Sequence, residues 1–328
     1  MTTNLRSMGL GEILDRTFQI YRSRFWLFVC ISSVPVFAWE LIFFINTNWL
    51  QTHTLDHSSG NTGILLWNFV ASHVNYYAFF LVALLAMPAV VKVTECSFLG
   101  TKCTALSSLG FAVAFSRRCL WIAFLVASVF LVLDSAFRSV VAWIFVDSVS
   151  TLGRSFNWAA PILNAFATVA GWALFLWLFA RLSFAIPAAV IEDLPSFRSL
   201  RRSWILTRDS WQRICLALVA LILGLWASTW VLEFSLGRMM YFIGDVLHIS
   251  DAMRNLYPAA VFVVGTAVYV LLGPIYPIVI TLFYYDQRIR REGYDIEMMM
   301  KSAGLDAPTA LTVKGSPITP AAEEEVQP

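Results

Sequence analysis

Six long apolar runs, near residues 25 to 45, 66 to 91, 119 to 146, 160 to 191, 214 to 236 and 257 to 285, leave this chain few possible folds. Each reaches about 20 residues, the length a helix needs to cross roughly 30 Å of hydrocarbon. One soluble core could not hide them, because 59% of the 328 residues are hydrophobic and 13% are charged, against roughly half and a quarter in a soluble domain. The runs are continuous, unlike the short alternating segments of membrane β-barrels. They predict an all-α polytopic membrane protein with six transmembrane helices, tilted or kinked where Pro and Gly interrupt them. The first run follows an amphipathic segment instead of a short basic start, so it reads as a retained helix and not as a cleaved signal peptide. The five cysteines show neither disulfide nor zinc spacing and are expected to be small buried apolar groups.

Lys and Arg in short loops set orientation, because they resist translocation. Of the 23 basic residues, 19 fall on one side of the predicted spans, and only Arg138, Arg154, Arg238 and Arg254 fall on the other. Both termini are therefore expected in the cytoplasm.

The richest basic stretch is "SFRSLRRSWILTRDSWQR", Ser196 to Arg213. Phe197, Leu200 and Trp204 recur at helical spacing with Arg198 and Arg202 beside them. Pro195 suits a first helical turn, and "RDS" at Arg208 to Ser210 reads as a break. Such a helix would lie flat at the interface, rings in the acyl boundary and guanidiniums among anionic headgroups. "LGEILDRTFQIYRSRFW" has the same design, with Leu10, Ile13, Leu14, Phe18 and Tyr21 on one face and Glu12, Asp15, Arg16, Gln19 and Arg22 on the other. Thr17 onward aligns with Ser203 onward at an offset of 186, and half of that offset lands on "GFAVAFSRR" from Gly110. Phe18, Phe111 and Trp204 precede Pro88, Pro187 and Pro277 by 70, 76 and 73 residues. The pattern predicts one membrane domain, 1–301, of three tandem units (8–95, 101–193 and 195–300), each an interfacial helix followed by a transmembrane hairpin. Tyr284 and Tyr285 are expected to anchor the last span at the interface, followed by a short basic helix. Residues 302–328 have little to bury and are expected to be disordered.

"LGEILDRTFQIYRSRFW", "SLRRSWILTRDSW" and "FYYDQRIRREGYDIE", in that order around six hydrophobic helices, resemble the bacterial family known as the glycerophosphoryl diester phosphodiesterase membrane domain, with its six-helix relatives. The resemblance extends to about residue 300. It implies a membrane domain without the soluble phosphodiesterase domain that some relatives carry, and it brings no catalytic residues with it.

Ionisable groups within spans are candidates for function, because hydrocarbon penalises them by at least a few kcal/mol. Counting from the basic ends at about 1.5 Å per residue places Glu40 and Asp134 at similar depth and Glu233 nearer the outer surface. Glu40 and Asp134, with His73, Asn75 and Arg138, are candidates for a polar pocket; the competing reading is an outer boundary where Asp134 and Arg138 neutralise each other. Arg181 is expected to reach toward the inner headgroups. His53, Asp56 and His57 sit in a Thr- and Ser-rich loop with no third strong ligand near, so no metal site is expected there. No catalytic or nucleotide-binding fingerprint is present, which points to no enzyme, no cofactor and no nucleic-acid partner. Two functions remain open. The first engages lipid headgroups or a membrane partner through Arg16, Arg22, Arg198, Arg201 and Arg202; the second is a small transporter or lipid-translocating protein using the polar pocket.

Overall fold

The computed structural model describes residues 7–54, 86–100, 117–129 and 159–302, with a few isolated positions between them. Among these, every regular element is a helix. In chain order they are α1 (Leu10–Ser23), α2 (Phe25–Thr54), α3 (86–99), α4 (117–129), α5 (Ala159–Leu182), α6 (Ala185–Ile191), α7 (Ser196–Leu206), α8 (Trp211–Val246), α9 (Ser250–Leu272), α10 (Ile275–Glu292) and α11 (Tyr294–Ser302). Most of the predicted spans at 66–91 and 119–146, and nearly all of the tail, lie outside the described residues.

Four stretches are long and apolar enough to cross a bilayer: Phe25–Asn46, Val169–Ile191, Trp211–Val246 and Ser250–Glu292. The 36 residues of α8 extend about 54 Å, so this helix must tilt or project beyond the hydrocarbon. Along α8 and α9, side chains such as Trp226, Trp230, Phe234 and Val263 point outward. In lipid there is no hydrophobic penalty for that.

The densely packed core lies at one end, where the arginine-rich helices gather. There α10 runs through the centre, with every side chain from Pro277 to Gln287 buried. Phe28, Phe98, Phe184, Leu206, Ile214 and Leu218 pack in the same core. Tyr284 and Tyr285 are therefore core residues and not interface anchors: Tyr284 meets the Phe184 ring edge-on at 5.7 Å, and Tyr285 stacks on Phe98 at 5.0 Å. The run "DQRIRRE", expected to begin a separate basic helix, continues α10. Gly293 ends it in the left-handed conformation at φ 64 that glycine adopts without strain, and α11 follows. Cys30, Cys119 and Cys215 are free thiols. Cys96 is disulfide-bonded, against the expectation of unpaired cysteines.

Two spans are broken near this base. Between α5 and α6 the chain turns at Ser183 and Phe184, and between α9 and α10 at Gly273 and Pro274. Pro187 and Pro277, each the third residue of the resumed helix, have no N–H to return to the preceding turn. Backbone groups freed at such depth need partners. Ser203 of α7 supplies both halves of one: its hydroxyl donates to the Arg181 carbonyl at 2.7 Å and accepts the Phe184 N–H at 3.1 Å. At the other break, the Tyr21 hydroxyl of α1 donates to the Leu271 carbonyl at 2.5 Å. Arg181 and Leu271 each lie six residues before their proline.

The two docking helices agree position by position. Their N-caps, Gly9 and Pro195, are 186 residues apart, so Pro195 precedes the first turn instead of lying in it. Ile13, Thr17 and Ile20 are buried in α1, and Ser199, Ser203 and Leu206 are buried in α7, again 186 apart. The inner face of α7 is thus serine-rich, and Phe197 (75% exposed) and Trp204 (41% exposed) turn outward. Gly110, at the corresponding point of the middle alignment, is exposed.

Candidate functional site

Around the buried end of α10, acidic and basic side chains interlock. Glu192, just after α6, receives both edges of the Arg202 guanidinium: Nε at 3.0 Å from Oε2 and Nη2 at 2.9 Å from Oε1. Arg202 also reaches Glu292 of α10, with Nη2 2.6 Å from Oε2. The Tyr284 hydroxyl donates to Glu192. Arg288 lies 3.4 Å from both glutamates and 4.1 Å above the centre of the Tyr294 ring. Burial opposes the charge on Arg202, but hydrogen bonds to Glu292 and Glu192 hold its pKa above the ordinary arginine value. Arg202 is thus committed to protein carboxylates.

A second node fixes the start of α1. Asp286 is fully buried; it accepts the Met8 N–H at 2.7 Å and is held by Arg290 at 2.9 Å. Arg290 and Arg213 both donate to the Met8 carbonyl, at 2.8 and 3.2 Å. Arg291 bonds Asp209 and the Ile205 carbonyl, and Arg118 pairs with Asp193 at 2.5 Å. In this layer each of these carboxylates meets a guanidinium, an arrangement that joins helices and resists movement. The sequence reasoning missed these acids, although the spacings Asp286 to Arg290 and Arg288 to Glu292 carry the signature of ion pairs on one helix face.

Of the five arginines proposed for headgroups, Arg22, Arg198 and Arg201 are exposed and Arg16 is half-buried, 6.0 Å from the Phe98 ring centre. Among the proposed pocket residues, His73, Asn75, Asp134 and Arg138 lie outside the described residues, as do His57 and Asp56. Glu40 of α2 is 6% exposed. A Cβ on Gly265 of α9 would come within 3.3 Å of its Oε1, so glycine there makes room for the carboxylate. Glu233 of α8 and Tyr269 of α9 are close enough to Glu40 to interact with it through space. Glu233 thus lies within electrostatic reach of Glu40. Its signal, a carboxylate in the middle of a 36-residue apolar helix, was visible in the sequence. Among the described residues, no cluster of three or more His, Cys, Asp or Glu side chains could hold a metal ion.

Four bilayer-length apolar helical stretches define a multi-pass helical membrane protein. Residues 156–303 match the family described as "Membrane domain of glycerophosphoryl diester phosphodiesterase". "SLRRSWILTRDSW" and "FYYDQRIRREGYDIE" lie inside the matched residues; "LGEILDRTFQIYRSRFW" lies outside them. No curated protein and no solved structure matches the chain.

Removing one partner from the basal network should be costly. Arg202→Ala strands two partly buried glutamates and is expected to lower stability by on the order of 2 kcal/mol, read as a drop in Tm of the detergent-solubilised protein. Adding Glu192→Leu and Glu292→Leu should recover much of the loss, because the uncompensated charge goes with them. A Tm unchanged by Arg202→Ala would contradict the assignment.

Proposed function

We propose that this is a non-catalytic protein of the bacterial inner membrane that engages anionic lipid headgroups, or a membrane partner, through exposed arginines on interfacial helices. Both termini lie in the cytoplasm in this reading, and the chain comprises three tandem units with six spans. One observation carries it: α1 and α7 bury matching faces in the protein, and both leave a face of aromatic and arginine side chains outward. In α1 that face includes Phe18 and Arg22; in α7 it includes Phe197, Arg198, Arg201 and Trp204. Rings for the acyl boundary beside cations for headgroup phosphates are what an interfacial helix requires. The repeat gains support from the docking pattern, since α7 serves the break ahead of Pro187 and α1 the break ahead of Pro277. Each helix thereby closes onto the unit before it in a ring.

The test compares wild type with Arg22→Gln, Arg198→Gln and Arg201→Gln combined, purified and reconstituted with equal amounts of phosphatidylglycerol and phosphatidylcholine. Enrichment of phosphatidylglycerol around the wild type should fall by more than half in the variant, and salt should weaken it in the wild type. Equal enrichment would contradict the proposal.

The juxtaposition of Glu40 and Glu233 favours a second reading, in which the chain moves a proton-linked or cationic solute. Glu40→Gln should then abolish flux into proteoliposomes, and unchanged flux would remove that reading.

A further inference from the structure

Arg181, in the last turn of α5, differs from the arginines around it. Arg202, Arg213, Arg288, Arg290 and Arg291 all have carboxylate partners. No described carboxylate lies within ion-pair distance of Arg181. Its guanidinium sits between two indoles, 4.8 Å from the Trp204 ring centre and 5.5 Å from that of Trp177. The two rings stand nearly perpendicular, 5.6 Å apart. Arg181 Nη1 makes one long bond, to the Trp204 carbonyl at 3.4 Å, and Nε is buried without a partner. A guanidinium carries five donors. Here cation–π contacts hold it in place while most of its hydrogen-bonding capacity is unspent.

We propose that Trp177, Arg181 and Trp204 form a discrete site for the phosphate of one anionic phospholipid, a proposal that rests on the lipid-headgroup reading above. The planar fork suits a bidentate pairing with two phosphate oxygens. The indoles fix its direction and offer apolar flanks to the glycerol and first methylenes. Arg201, exposed on α7, lies three residues before Trp204, about one helical turn away, and adds positive potential around the same point. The backbone of Arg181 is already tied to Ser203, so the side chain starts from a fixed base.

The full chain, reconstituted in bilayers, is titrated with spin-labelled phosphatidylglycerol in a phosphatidylcholine background. Wild type should show one saturable lipid per chain. Arg181→Gln should weaken that component about tenfold, and Arg181→Lys should weaken it less, since it keeps the charge and loses the fork. Trp204→Leu, at an exposed position, should weaken it several-fold and guards against misfolding of the Arg181 variants. A variant carrying Arg22→Gln and Arg198→Gln alone should lose non-saturable enrichment but keep the saturable lipid, which separates this site from the general surface. Saturable binding that is unchanged in Arg181→Gln and Trp204→Leu overturns the site. Complete displacement by millimolar inorganic phosphate would make the ligand a soluble anion and overturn the lipid assignment.

Discussion

A backbone break inside a membrane helix must be repaired by something, and here the hydroxyl of Ser203 does it. One side-chain oxygen serves a carbonyl and an N–H that proline and the turn before it have set free. Without that partner each buried group would cost about 1–3 kcal/mol. The repair also fixes where α7 lies, because its inner face must bring Ser203 to the break. Tyr21 ties α1 to the Leu271 carbonyl in the corresponding place. The helices that repair the spans are the ones that present arginine and aromatic side chains outward.

The distribution of burial follows from the solvent on each side. At the base apolar side chains are buried among the helices, and α10 is enclosed from Pro277 to Gln287. Farther along α8 and α9 the large side chains turn outward. Charge follows the same division. Basal acids are matched by Arg202, Arg213, Arg288, Arg290 and Arg291, which makes this layer rigid, whereas Arg22, Arg198 and Arg201 remain outward. Arg181 combines the two: its backbone belongs to the framework, and its guanidinium has no carboxylate partner among the described residues.

Much of this was legible in the residues. Helical character, the start of α7 after Pro195, the break at Arg208 to Ser210 and the register between Thr17 and Ser203 all follow from spacing. The direction in which α7 faces did not. An apolar stripe normally points into a protein, but next to lipid that rule inverts, and a helix assigned to mend backbone turns Ser199 and Ser203 inward. Tyr284 and Tyr285 were misread for a related reason: tyrosines at the end of an apolar run suit an interface, and nothing local reveals that other helices enclose α10. The meeting of Glu40 with Glu233 depends on how α2, α8 and α9 pack, which counting along single helices cannot give.

Hydrogen exchange at the Phe184 amide, followed in bilayer nanodiscs, tests the repaired break most directly. In the wild type this amide should exchange slowly although it lies in a turn, and Ser203→Ala should accelerate it about tenfold. Rapid exchange in the wild type, or a rate indifferent to the substitution, would contradict the account.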